Sequence, residues 1–76
     1  MRLMRPIEHI RRSTFKVSQT AFGEIAGTTQ ASVSRWEQGT QEPSQREMER
    51  IRNEAVFLGL EWDDRWFFET PTTEVS

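Results

Sequence analysis

The stretch from Ser18 to Gly39, SQTAFGEIAGTTQASVSRWEQG, limits the fold more than any other, because its apolar spacing and its glycines prescribe two short helices joined by a tight turn. Phe22, Ile25 and Ala26 fall at i, i+3 and i+4, on one face of a helix that begins near Gln19 or Thr20. Gly27 interrupts the pattern as the residue past a helix end, where φ turns positive. Thr28 and Thr29 follow it, and a threonine hydroxyl accepts a hydrogen bond from the free N–H groups that open the next helix. The second helix, 29–38, turns Val33 and Trp36 inward and carries Gln30, Ala31, Ser34, Arg35 and Gln38 on the opposite side. Gly39 closes it as a second left-handed cap.

That outward face is unlike an ordinary solvated one. It holds Gln, Ala, Ser and Arg where Glu and Lys are usual, and the two acids of the helix pair, Glu24 and Glu37, lie off it. Such side chains suit a DNA duplex. Glutamine pairs its amide with adenine, arginine forks onto guanine, serine reaches bases or phosphates, and the alanine methyl packs against that of thymine. A carboxylate at any of these positions would face phosphates.

The run Val17-Ser18-Gln19, Phe22-Gly23, Ile25-Ala26-Gly27, Thr29, Ser32-Val33-Ser34-Arg35-Trp36-Glu37, Gly39 and Glu42-Pro43-Ser44 resembles the helix-turn-helix domain of Cro, the lambda-type phage repressors and the xenobiotic-response-element regulators. The resemblance covers Ile7 to Leu60. It implies an all-α fold, a compact four- to five-helix lambda-repressor-like domain in which the helix after the turn reads bases through Gln30, Ala31, Ser34 and Arg35. It also implies phosphate contact from Gln19, at a helix start where free N–H groups attract anions, and Ser18, Thr29 and Gln38 are expected to join it on the DNA backbone. Arg12 admits two roles, a phosphate contact or a structural ion pair with Glu37, as arginine and glutamate at these positions make in some family members. The ion pair is the expected one, and the guanidinium fork permits a phosphate contact besides.

Three residues depart from the family pattern. Lys16 stands where a glycine is frequent, so the end of the first helix is expected to differ in detail. Gly23 replaces an alanine where the two helices cross closely, at a cost of about 1 kcal/mol in helix propensity. Ala26 stands where a larger aliphatic is usual, with Ile25 beside it to fill the volume.

Composition excludes several other classes. A chain of 76 residues has room for one domain and one small core. No cysteine and a single histidine exclude a disulfide framework and an ordinary zinc site, so no metal and no cofactor are expected. An enzyme would need a convergent set of ionisable groups, and the four glycines read as packing or capping residues rather than as a phosphate loop. Neither catalysis nor a small-molecule ligand is expected. No apolar run reaches the length of a membrane span and Met1 to Ile10 lacks the apolar centre of a secretion signal, so the expectation is a cytoplasmic protein of a bacterial host cell or its nucleoid, with no membrane partner.

The net charge of −2 conceals a division along the chain. Residues 1–16 carry five basic side chains against Glu8, whereas residues 53–76 carry Arg65 against six acids. Positive charge therefore gathers where the first helix would approach phosphates, and negative charge gathers at the other end of the sequence.

In chain order, 1–5 reads as an N-terminal arm and 6–60 as the helix-turn-helix DNA-binding domain. Pro6 suits a first helical position, with Ile7 and Ile10 facing inward before Ser13 and Thr14 weaken the helix. Phe15 and Val17 read as core residues in the link. The loop after Gly39 lacks lysines, so backbone contacts there rest on Thr40, Gln41 and main-chain N–H groups. Ser44 and Glu47 form an S-x-x-E capping box. Met48, Ile51, Ala55 and Leu58 then recur at helical spacing, giving one buried stripe that ends near Gly59 and a solvated opposite face with Arg46, Glu49, Arg50 and Asn53.

Residues 61–70 form an aromatic segment and 71–76 a polar tail. Trp62 and Trp66 at i, i+4 suit a short helix, whereas Trp66 to Thr70 suits a dimerising strand. Trp62, Trp66, Phe67 and Phe68 together exceed what so small a core absorbs, so they are expected to form a homodimer interface; the competing reading folds all four onto the domain itself. The functional expectation is a sequence-specific double-stranded-DNA-binding transcription regulator. It would be a repressor bound as a homodimer to a palindromic operator, with helix 29–38 in the major groove and half-sites one helical turn apart. The alternative is an antitoxin-type module whose C-terminal segment binds a partner protein, and the acid-free outer face of the second helix favours DNA.

Overall fold

A computed structural model of the chain describes residues 4–69, so the first three residues of the expected arm and all of the expected 71–76 tail lie outside the described residues. Pro6, which needs no N–H partner at a helix start, opens α1. The helix begins as the α-helical turn Pro6–His9 and widens into a π-helical run, Ile10–Phe15. It continues through Ser13 and Thr14, where the sequence weakens it, because the wider spacing lets the Lys16 N–H reach the Arg11 carbonyl at 2.8 Å. Ile7 and Ile10 are buried on its inner side.

Lys16 ends α1 in the left-handed conformation, with φ 59° and ψ 47°. The glycine-like geometry is thus kept without the glycine, at a cost of about 1–2 kcal/mol for a residue with a Cβ. Lys16→Gly is expected to raise stability by about 0.5–1 kcal/mol, the relief of strain outweighing the extra freedom glycine gives the unfolded chain. The urea unfolding midpoint reads this directly, and a lower midpoint than the parent would contradict it.

Helix α2 spans Gln19–Ala26, capped by the Ser18 hydroxyl, which accepts from the Ala21 N–H at 3.1 Å, and closed by Gly27 at φ 80°. Helix α3 spans Gln30–Gln38, capped by the Thr29 hydroxyl accepting from Ser32 N–H at 3.2 Å, and closed by Gly39 at φ 83°. Helix α4 spans Gln45–Phe57 behind the capping box that the sequence specifies: Ser44 N–H donates to Glu47 at 2.7 Å and Glu47 N–H to the Ser44 hydroxyl at 3.1 Å.

The core lies where these helices meet and consists of Ile7, Ile10, Phe22, Ala26, Val33, Trp36 and Ile51. Phe15 stacks edge-on against Phe22, with centroids 5.6 Å apart. Ile25 packs beside the buried Ala26, so the small residue at 26 leaves the crossing filled. One member of the expected α4 stripe departs from it. Ile51 and Ala55 are fully buried and Met48 is half-buried, but Leu58 is 52% exposed, because α4 stops at Phe57 and Gly59 turns the chain away at φ 73°.

The aromatic segment is a short 3₁₀ helix, Asp64–Phe67, and no strand occurs among the described residues, so the strand reading of 66–70 does not hold for those described. Asp63 caps it, accepting from Arg65 N–H at 2.9 Å while the Arg65 guanidinium clamps the same carboxylate; those hydrogen bonds hold Asp63 below the usual carboxylate range. Trp62, Trp66 and Phe67 turn back and pack against the core edge, Trp66 meeting His9 of α1 at 6.0 Å between centroids. Phe68 alone of the four large aromatics stays open, 75% exposed.

Candidate nucleic-acid interface

The α2–α3 turn fixes one helix against the other through a glycine. A Cβ at Gly23 would lie 3.0 Å from the backbone carbon of Thr29 and 3.1 Å from the carbonyl oxygens of Thr28 and Thr29. Gly23 also accepts the Thr28 N–H at 2.8 Å. The start of α3 is therefore seated on the backbone of α2, and its outward side chains inherit a fixed direction.

On α3, Gln30, Ala31, Arg35 and Gln38 are exposed and Ser34 is half-exposed. Gln38 donates from its amide to the Ser34 hydroxyl at 3.0 Å, while Arg35 has no ion-pair partner among the described residues. One face thus offers an unengaged guanidinium, a carboxamide, a methyl and a hydroxyl, with no carboxylate among them. Those groups can read base edges in a groove.

A chain of hydrogen bonds anchors the near end of this face to the interior. Arg11 of α1 grips Glu37 of α3 with two parallel bonds, Nε to Oε2 at 2.5 Å and Nη2 to Oε1 at 3.1 Å, and its Nη1 donates to the Val17 carbonyl at 3.0 Å. Both residues are 8% exposed, and the hydrogen bonds to Glu37 push the Arg11 guanidinium above its already high value. The Gln19 amide donates to the same Glu37 at 3.0 Å, and its oxygen accepts from Gln30 at 2.6 Å. Gln19 at the start of α2 and Gln30 at the start of α3 are thereby held side by side from a buried ion pair.

This corrects the expected pair between Arg12 and Glu37. Arg12 instead reaches Glu8 one turn back, at 3.1 Å, with its own side chain 56% exposed, and Arg11 makes the pair with Glu37. The signal was present in the sequence: Ile7, Ile10 and Arg11 fall at i, i+3 and i+4, which puts Arg11 beside the buried stripe and Arg12 past it. The π-helical widening after Ile10 reinforces that placement.

The remaining candidate residues are distributed as follows. The Ser18 and Thr29 hydroxyls accept cap hydrogen bonds at the two helix starts, and Thr29 also donates to the Ser32 hydroxyl at 3.3 Å. Thr40 donates through its hydroxyl to the Arg35 carbonyl at 3.3 Å, and Gln41 is exposed beside it. Two arginines that sequence reasoning passed over shield the glycine turns: the Arg5 guanidinium covers Gly39, and the Arg50 side chain covers Gly27, so that a Cβ at either glycine would collide with it. Neither contact has a spacing signature, because each joins residues distant in the chain.

Among the described residues no group of His, Cys, Asp and Glu is placed to hold a metal, and no helix is long and apolar enough to cross a membrane. A family model described as "Helix-turn-helix" matches residues 7–54. No curated protein and no solved structure matches the chain.

Proposed function

The chain belongs to the Cro/C1-type helix-turn-helix family and is a DNA-binding transcription regulator; from that premise we propose that it is a sequence-specific repressor, binding a palindromic operator as a homodimer. Helix α3 lies in the major groove in this reading. Gln30, Ala31, Ser34 and Arg35 read bases, while Gln19, Ser18, Thr29, Gln38, Thr40, Gln41 and the exposed Arg12 hold the DNA backbone. Repression follows by occlusion of a promoter in the bacterial cytoplasm, and the protein acts by binding, without catalysis.

The observation that carries this reading is the outer face of α3, where Arg35 stands open and unpaired among neutral polar side chains. A face meant for water has no reason to exclude carboxylates, whereas a face meant for phosphates and base edges does. The Gln19–Gln30 pair supports it further, since the Gln30 amide reaches its reading position already ordered.

Arg35→Ala is expected to cost about 1–3 kcal/mol at the operator and to relax base preference at one position. Competition binding against single-base operator variants measures it. An equal loss on specific and non-specific DNA would remove Arg35 from base reading.

A further inference from the structure

The basic residues around α1 are unequally engaged. Glu37 holds Arg11 and Glu8 holds Arg12, whereas Arg5 and Lys16 make no ion pair among the described residues. Lys16 stands at the end of α1 and Arg5 at its start. The place of Arg5 is set locally. The ring of Pro6 confines the residue before it to extended backbone, and Arg5 accordingly takes φ −73° and ψ 152°. Ile7, two residues on, shares the core with Trp36, which brings the start of α1 beside the end of α3. The exposed Arg5 side chain then lies with its guanidinium against Gly39, in space that a Cβ there would occupy.

That end of α3 needs a cation if it is to meet DNA. The free carbonyls of a helix C-terminus make it the negative end of the helix dipole, which opposes a phosphate. The loop that follows, Thr40 to Pro43, has Glu42 as its one charged residue. It is tied to the reading helix by Thr40, whose N–H and hydroxyl donate to the Arg35 carbonyl at 3.0 and 3.3 Å. Glu42 borders the same hollow as Arg5 without pairing with it. Arg35, the basic residue of the last turn of α3, is assigned to bases. The cation left to face a phosphate at this end is Arg5.

We propose that the Arg5 guanidinium binds a phosphate of the DNA backbone beside Gly39 and so seats the C-terminal end of α3. The inference rests on the DNA-binding reading above and supplies the charge that the loop itself lacks. A planar guanidinium with no carboxylate on it has its whole fork open to phosphate oxygens. Gln19 holds Gln30 at the start of α3, and Gly39 lies about 13 Å further along, at about 1.5 Å per residue over nine residues. Arg5 and Gln19 therefore hold different phosphates. One such contact leaves α3 a pivot in the groove, and two fix its direction.

The test uses the operator recovered by selection, a scrambled duplex, and a set of operators in which single phosphates are replaced in turn by neutral methylphosphonates. Arg5→Ala is expected to weaken binding about 3–10-fold, by the same factor on operator and scrambled duplex, and to reduce the slope of log affinity against log salt by about 0.9. The parent is expected to lose affinity at every contacted phosphate. Arg5→Ala is expected to be indifferent to one of those replacements, and that one still weakens Gln19→Ala. Thermal melting of Arg5→Ala, and of Arg5→Gln with its longer neutral side chain, shows that the fold is kept, as an exposed position allows. A folded Arg5→Ala that binds as the parent does overturns the inference and leaves Arg5 a cap on the end of α3. Equal sensitivity of parent and Arg5→Ala to every replacement overturns it too, because the loss is then one of general charge. Both results leave the DNA-binding reading intact, whereas a parent that binds neither duplex overturns both.

Discussion

Glu37→Ala is expected to lower stability by about 3–5 kcal/mol, most of the roughly 4–11 kcal/mol that about 0.05–0.15 kcal/mol per residue gives a 76-residue domain. The loss exceeds that of an ordinary surface ion pair, because both partners are only 8% exposed and Arg11 cannot shed its charge. Removing the carboxylate leaves a buried guanidinium whose remaining hydrogen bond among the described residues goes to the Val17 carbonyl, with the Glu8 carboxylate acting on it through charge. The same change takes away the acceptor of Gln19 and so loosens Gln30. Urea unfolding followed by circular dichroism measures the effect, and a loss under about 1 kcal/mol would mean that the pair behaves as an exposed one. The double variant Arg11→Met with Glu37→Leu separates stability from function. It is expected to recover most of the stability, since an apolar pair of similar volume often replaces a buried ion pair without loss. Operator affinity is expected to stay reduced in it, because nothing then holds Gln19 and Gln30 in register.

Gly23→Leu is expected to cost about 3 kcal/mol through overpacking at the α2–α3 crossing. The first added carbon alone would sit 3.0 Å from the Thr29 backbone, and backbone at a helix start yields less readily than the tip of a side chain. The glycine thus eases the close approach of two backbones, and its helix-propensity cost of about 1 kcal/mol is set against the closeness it permits. The unfolding midpoint measures this prediction as well. A variant as stable as the parent would show that the turn moves aside, and the direction of α3 would no longer be fixed by the crossing.

Much of the architecture was legible because it is written locally. The two glycines that end α2 and α3, the Thr29 and Ser44 caps and the Glu47 capping box all act within four residues of one another. Spacing also placed Phe22, Ala26, Val33 and Trp36 in the core, since each follows helical periodicity. What escaped depends on contacts between distant parts of the chain. The spacing of Arg11 from Ile7 and Ile10 already set it beside the buried stripe, but its meeting with Glu37, 26 residues away, and the π-helical widening of α1 have no local signature. Leu58 continues the α4 stripe in sequence but overshoots the core, which ends one turn earlier. The aromatic segment held both helical and strand signals, and the choice fell to packing: Trp66 meets His9, and Asp63 caps a 3₁₀ turn. The coverage of Gly39 and Gly27 by Arg5 and Arg50 is likewise long-range, with no periodic trace.

The outer face of α3 differs from these features, because its meaning lies in what the sequence leaves out. Basic residues gather in α1 and its flanks, where Glu37 engages Arg11 and Glu8 engages Arg12, and the α3 face itself contributes only Arg35. Affinity in this account therefore leans on backbone contacts and on pairing of copies, while discrimination leans on Gln30, Ala31, Ser34 and Arg35. Both requirements meet in one measurement, the selection of bound sequences from a random pool of duplex DNA at a stated salt concentration. The account predicts a single enriched palindrome whose half-sites are centred about 10 base pairs apart, one helical turn. A pool that remains random after repeated rounds, with the protein folded throughout, would contradict it.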